Sequence, residues 1–120
     1  MNKQDLQLRT KNFHIAVIKL CGVFPRNAAG FETAKQLIRS AGSVGANYRA
    51  ACRGKSKADF IYKIEIVVEE ADESLYGLEV AKEAVLVPAG SGIDVLMKEA
   101  NELVSIFNAT DITAKKNKNK

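Results

Sequence analysis

Apolar residues recur along this chain at helical spacing. Phe13, Val17, Leu20 and Phe24 stand four, three and four residues apart and mark one face of a helix from about Leu8 to Phe24. Pro25 closes it, because proline disfavours helix in the residue before it. Ala34, Leu37, Ala41, Val44, Tyr48 and Ala51 alternate three and four over a second segment, about Phe31 to Arg53. That alternation is a coiled-coil-like seam. Gly42 and Gly45 flank it, each costing roughly 1 kcal/mol of helix stability against alanine. They predict a close approach by a neighbouring helix; a bend at the two glycines is the competing reading.

A third helix is predicted over about Lys57 to Val85. Its seam is Ile61, Ile64, Val68, Ala71, Leu75, Leu78 and Val85, interrupted by Lys82. Ser56 stands three residues before Asp59, a capping box with Asp in place of Glu. Val87-Pro88-Ala89-Gly90 reads as a loop, and Ser91 and Asp94 repeat the cap spacing. The last helix runs from about Gly92 to Phe107 on Ile93, Leu96, Ala100, Leu103 and Phe107. Ile64–Val68 is the most strand-like patch, but its flanks keep the helical period. Four amphipathic helices with short connections predict an all-α, antiparallel up-and-down four-helix bundle, one domain over residues 1–108. Lys115-Lys116-Asn117-Lys118-Asn119-Lys120 has no apolar residue, so residues 109–120 are expected to form a disordered basic tail.

Composition narrows the function classes. The 120 residues suit one domain. No apolar run reaches the roughly 18 residues of a membrane span, and Met1-Asn2-Lys3-Gln4-Asp5 is a polar start, so a cytoplasmic protein is expected. Cys21 and Cys52 are the only cysteines and read as small buried hydrophobes. His14 is the only histidine. A catalytic triad or a Cys/His zinc site would have to use it; it reads instead as the edge of a packed helix. The acids of the third helix, Glu65, Glu69, Glu70, Asp72, Glu73, Glu79 and Glu83, lack the Glu-x-x-His pairs of di-iron bundles and read as a solvated or ion-paired face. Gly42-Ser43-Val44-Gly45 lacks the lysine and strand of a phosphate loop. No catalytic residue, metal, cofactor or small-molecule substrate is therefore expected.

Charge carries the stronger signal. The net charge is +4, yet residues 1–60 hold 11 Lys/Arg against 3 Asp/Glu, and residues 61–114 hold 3 against 11. On the second helix Lys35, Arg39, Arg49 and Arg53 fall within an arc of roughly 80° at 100° per residue, away from the apolar seam. Lys55 and Lys57 extend the stripe into the following loop. Such a row suits a phosphate backbone, since each cation neutralises a charge and releases a counterion. Ion pairing with the acidic third helix, within the chain or across subunits, competes with that reading. Asn47 lies near the seam and is expected to fix register by hydrogen bonding across it. Tyr48 belongs to the core; Tyr62 is left free to stack on a base.

The run from Ile38 to Ala51, IRSAGSVGANYRAA, with Lys55-Ser56-Lys57-Ala58-Asp59-Phe60 and Glu69-Glu70-Ala71-Asp72-Glu73-Ser74, resembles the signature of the bacterial 23S rRNA-intervening sequence proteins. The resemblance covers about residues 11–108. Tyr48-Arg49-Ala50-Ala51 stands where the commoner pattern has an apolar residue followed by Ala-Glu-Gly, so no role of that glutamate carries over. The resemblance implies an up-down bundle assembling as a ring-like homopentamer. It is also distantly similar to the accessory proteins of diversity-generating retroelements, basic bundles that bind nucleic acid. The expected function is a non-enzymatic oligomer that binds RNA or another nucleic acid through Lys35, Arg39, Arg49, Arg53, Lys55 and Lys57. The alternative is a protein-interaction scaffold whose segregated charges serve subunit assembly.

Overall fold

Helix starts are set by side chains that satisfy free amides. Asn2 accepts from the Asp5 amide at 2.8 Å, and the Asp5 carboxylate accepts from the Asn2 amide at 3.3 Å, a reciprocal box that opens α1 (Lys3–Cys21). The helix thus begins before its apolar period does. Asn27 caps α2 (Ala28–Cys52) by accepting from Gly30 N–H at 2.9 Å. Ser56 caps α3 (Lys57–Glu83) through the Asp59 amide at 3.0 Å. Among the described residues the reciprocal bond from Asp59 is not made, so only half of the predicted box forms; a Cβ on Gly54 would lie 2.7 Å from the Asp59 carboxylate. The fourth helix, α4 (Ile93–Lys118), starts differently from its predicted cap. Ser91 Oγ accepts from Ile93 N–H at 3.4 Å, while Asp94 turns away to Lys82 Nζ at 2.6 Å.

The computed structural model describes residues 1–118, all of whose regular structure is in these four helices. Consecutive helices pack side by side, and α1 closes the bundle by a lighter contact with α4. Arg9 reinforces that weak side: its guanidinium donates to both Glu99 oxygens at 2.6 and 2.7 Å and to Glu102 at 3.2 Å. The hydrogen bond to Glu99 is the main reason the Arg9 pKa is raised.

The core follows the predicted seams of α1, α2 and α4 closely. Phe13, Val17, Leu20, Leu37, Ala41, Val44, Tyr48, Ala100, Leu103 and Phe107 are buried, and the Tyr48 and Phe107 rings meet at 5.2 Å. The α3 seam differs. Val67 and Ser74 are buried where Val68 and Leu75 were expected to point inward, and Ala81 is buried beside the seam position that Lys82 interrupts. The α-helical advance of 3.6 residues per turn drifts against a strict heptad over so long a helix. Ser74 is accommodated because its hydroxyl lies 2.9 Å from Ser40 Oγ on α2, and Ser40 donates on to the Leu37 carbonyl at 3.2 Å. Val85 is no seam residue at all. It is 77% exposed, with φ 56°, beyond the end of α3. Leu86 N–H reaches the Ala81 carbonyl at 2.9 Å and Val85 N–H the Lys82 carbonyl at 3.1 Å, the Schellman closure usually built on glycine.

Gly42 performs its predicted part. A Cβ there would fall 2.9 Å from the His14 ring, so its absence lets α1 and α2 close together. Both glycines sit inside an unbroken helix.

One expectation is overturned more fully. Residues 109–118 are not a disordered tail; they continue α4 to Lys118. Thr110, Asp111 and Ala114 are half-buried and keep the three-four spacing from Phe107, and Lys115 pairs with Asp111 at 2.9 Å and with Glu65 of α3 at 3.5 Å. Small side chains and ion pairs replace bulky apolar contacts there. The tail expectation for residues 119 and 120 lies outside the described residues.

Candidate nucleic-acid interface

The cations named from the sequence do not share one environment. Lys35, Arg49, Arg53, Lys55 and Lys57 are exposed, and among the described residues none of them lies within ion-pair distance of a carboxylate. Lys35 to Arg53 spans ~27 Å of α2 at 1.5 Å per residue. Arg39 departs from this pattern. Its Nη2 meets Glu73 at 2.7 Å and its Nη1 meets Glu70 at 3.5 Å, both on α3. The two sequence readings of the stripe therefore divide by residue: Arg39 pairs with the acidic helix, the others remain free.

Arg39 sits in a polar strip between α2 and α3. Burial, then the neighbouring Glu73, raises the Glu70 pKa, while Arg39 and Ser43 work against that rise. Asn47 belongs to the same strip and corrects its predicted role. Its Nδ2 donates to the Ser43 carbonyl at 2.9 Å and to Ser43 Oγ at 2.8 Å, both on its own helix. It is half-buried, so intrahelical partners suffice and no cross-helix register bond is made. The buried interhelical hydrogen bond between α2 and α3 is the Ser40–Ser74 pair. Tyr48 lies in the core, where burial and the Cys52 thiol raise its pKa. Burial pushes the Cys21 thiol up to about 11.

Lys55 and Lys57 occupy an electrostatically uncomfortable place. They flank the start of α3, where the helix dipole is already positive and favours anions. Lys57 Nζ also donates to the Asn117 carbonyl at 3.3 Å, which brings the last turn of α4 against the first turn of α3. Exposed Lys116 and Lys118 thereby lie at the same end of the bundle as Arg49, Arg53, Lys55 and Lys57, while Lys35 lies toward the other end of α2. The sequence reading missed this convergence because it ended α4 at Phe107. The signal was the continuing step from Phe107 to Thr110 and Ala114.

Between the α2–α3 loop, the first turn of α3 and the end of α4 lies an open cleft of about 710 Å³. Lys55 and Lys57 line it together with Phe60 and the last turns of α4, and its lining contains no carboxylate. A second groove, about 520 Å³ between α1 and α2, is lined by Lys11, His14 and Arg49 over Gly42 and Gly45. Further along α3 the acids Glu65, Glu69, Asp72 and Glu73 are exposed, while Asp59 in its first turn lies beside Gly54 of the cleft lining. Among the described residues no group of three or more His, Cys, Asp or Glu side chains could hold a metal ion. Among them, too, no helix is long and apolar enough to cross a membrane.

The family described as 23S rRNA-intervening sequence protein matches residues 3–109. No curated protein matches the chain. Among solved structures, the chain is similar to a protein of unknown function from the S23 ribosomal protein family of Bacteroides thetaiotaomicron, with a TM-score of 0.81 and 25% identity. That likeness covers 92% of this chain and 98% of the other.

Proposed function

The chain belongs to the 23S rRNA-intervening sequence protein family, and from that membership we propose that it is a non-enzymatic, oligomeric bundle that binds RNA or another nucleic acid. The contacts are Lys35, Arg49, Arg53, Lys55 and Lys57, joined by Lys116 and Lys118. One observation carries the reading: the 3.3 Å bond from Lys57 Nζ to the Asn117 carbonyl, which brings two lysine-bearing helix ends together. Like charges gathered around a cleft whose lining holds no carboxylate repel each other, and a polyanion relieves that repulsion. The distant resemblance to the basic bundles of diversity-generating retroelements points the same way.

Neutralising Arg49, Arg53, Lys55 and Lys57 together to Gln tests it. Fluorescence anisotropy with labelled structured RNA and matched DNA, over a salt series, gives the slope of log Kobs against log salt. Four phosphate contacts correspond to a flattening of about 3.6 in that slope on duplex and about 2.8 on single strand. Unchanged affinity and slope in a variant that keeps the parent helicity overturns the assignment.

Assembly is a separate part of the proposal. Leu8, Ile15 and Ile18 leave an apolar stripe exposed on α1, and the chain's acids and bases are segregated. Both features support a ring of identical subunits, each acidic α3 turned toward a neighbour's basic face. Light scattering of a monomer at low and high salt alike counts against it.

A further inference from the structure

The cleft at the basic end has a composition that a plain phosphate-binding surface does not need. One side is cationic: Lys55 and Lys57. The other is apolar or small: Phe60 and Ile61 from α3 face Ala109 and Ala114 from α4. Thr113 adds a hydroxyl. Phe60 is half-buried, so its ring is packed in place yet still has a free surface. At about 710 Å³ the cleft lies within the range of about 300–1,000 Å³ that small-molecule sites occupy.

Duplex nucleic acid presents only phosphates and groove edges to such a surface and cannot fill it. An unpaired nucleotide can. Its base supplies a flat apolar face for Phe60 and the alanine wall, and its phosphate supplies the anion that Lys55 and Lys57 lack. No carboxylate in the lining opposes that charge. We infer that this cleft receives a single unpaired nucleotide of the bound strand, its base against Phe60 and its phosphate between Lys55 and Lys57. The inference rests on the nucleic-acid function proposed above and adds the form of substrate: a single-stranded or looped segment rather than a continuous duplex.

Ala114→Leu fills the cleft from the α4 side and leaves every cation in place; Phe60→Leu removes the ring but keeps an apolar side chain. Each is compared with the parent by anisotropy, using a labelled single-stranded RNA, the same sequence as DNA, and a blunt duplex. A thermal melt confirms that each variant is folded. Stacking of one base corresponds to a loss of about 5-fold to 150-fold in single-strand affinity. The expected result is that loss on RNA, DNA or both, with duplex binding and the salt slope unchanged. Loss on one sugar alone identifies the strand type and supports the site equally.

Two results overturn the inference while leaving the proposed function intact. One is unchanged single-strand binding in both variants, when the fourfold Gln variant has lost it. The other is equal loss on single strand and duplex. Failure of the parent to bind any of the three probes overturns the function and the cleft together. The two losses are thereby distinguishable.

Discussion

Arg39 and Arg53 look equivalent on a helical wheel, lying within the same basic arc of α2, and the structure separates them. Arg53 is exposed with no carboxylate partner among the described residues, whereas Arg39 is held by Glu73 at 2.7 Å and Glu70 at 3.5 Å. A cation already paired within the chain neutralises little phosphate charge and so releases few of the counterions condensed on the nucleic acid. Arg53→Gln is expected to flatten the salt slope by about 0.9 on duplex or 0.7 on single-stranded probe. A fourfold rise in salt then weakens the variant about threefold less than the parent. Arg39→Gln is expected to leave the slope unchanged. The partners provide the control: with Glu70→Gln and Glu73→Gln in place, Arg39 is released, the slope steepens, and Arg39→Gln then costs what Arg53→Gln costs. Anisotropy titrations across the salt series read all of these, and the coupling between Arg39 and its two acids emerges as a double-mutant cycle. If Arg39→Gln in the parent flattens the slope as much as Arg53→Gln does, intramolecular masking is the wrong account of this pair.

Three stability changes follow from local geometry. Val85 holds φ 56° while 77% exposed, a β-branched residue in a left-handed turn, so Val85→Gly should raise stability by about 1 kcal/mol in urea melts; a lower midpoint contradicts the strain. A Cβ on Gly30 would stand 1.9 Å from the Pro25 carbonyl oxygen, and Gly30→Ala should cost about 3 kcal/mol because backbone must move; a loss under 1 kcal/mol would show that the turn is loose. Glu70 carries a raised pKa, so the folded state holds its proton more tightly than the unfolded one. The sign follows: the parent loses stability relative to Glu70→Gln as pH rises above 4.5, and the gap closes in acid. Paired melts at acid and neutral pH check this, and a variant less stable at neutral pH refutes it.

The bundle itself was legible from one dimension. Apolar spacing marked the inward faces of α1, α2 and α4, and the Ser56 cap and the two prolines punctuate the helices, because each of these depends only on neighbours a turn away. The segregation of charge was equally plain. What the periodicity misplaced was set by contacts from distant segments. The α3 seam slid onto Val67 and Ser74, the latter tolerated because Ser40 on another helix accepts its hydroxyl. α4 ran on to Lys118 although its last turns are polar, because α3 supplies Glu65 and Lys57 as partners. Asn47 found its partner at Ser43 rather than across the seam. The candidate site shows the same division. Single residues named its cations, but whether an arginine is free or paired depends on which acids the fold brings within about 4 Å. The cleft beside Lys55 and Lys57 exists only because the chain's far end returns to the start of α3. Helix formation is local and readable along the chain; the neutralisation of a charge and the enclosure of a cleft belong to residues that meet only after folding.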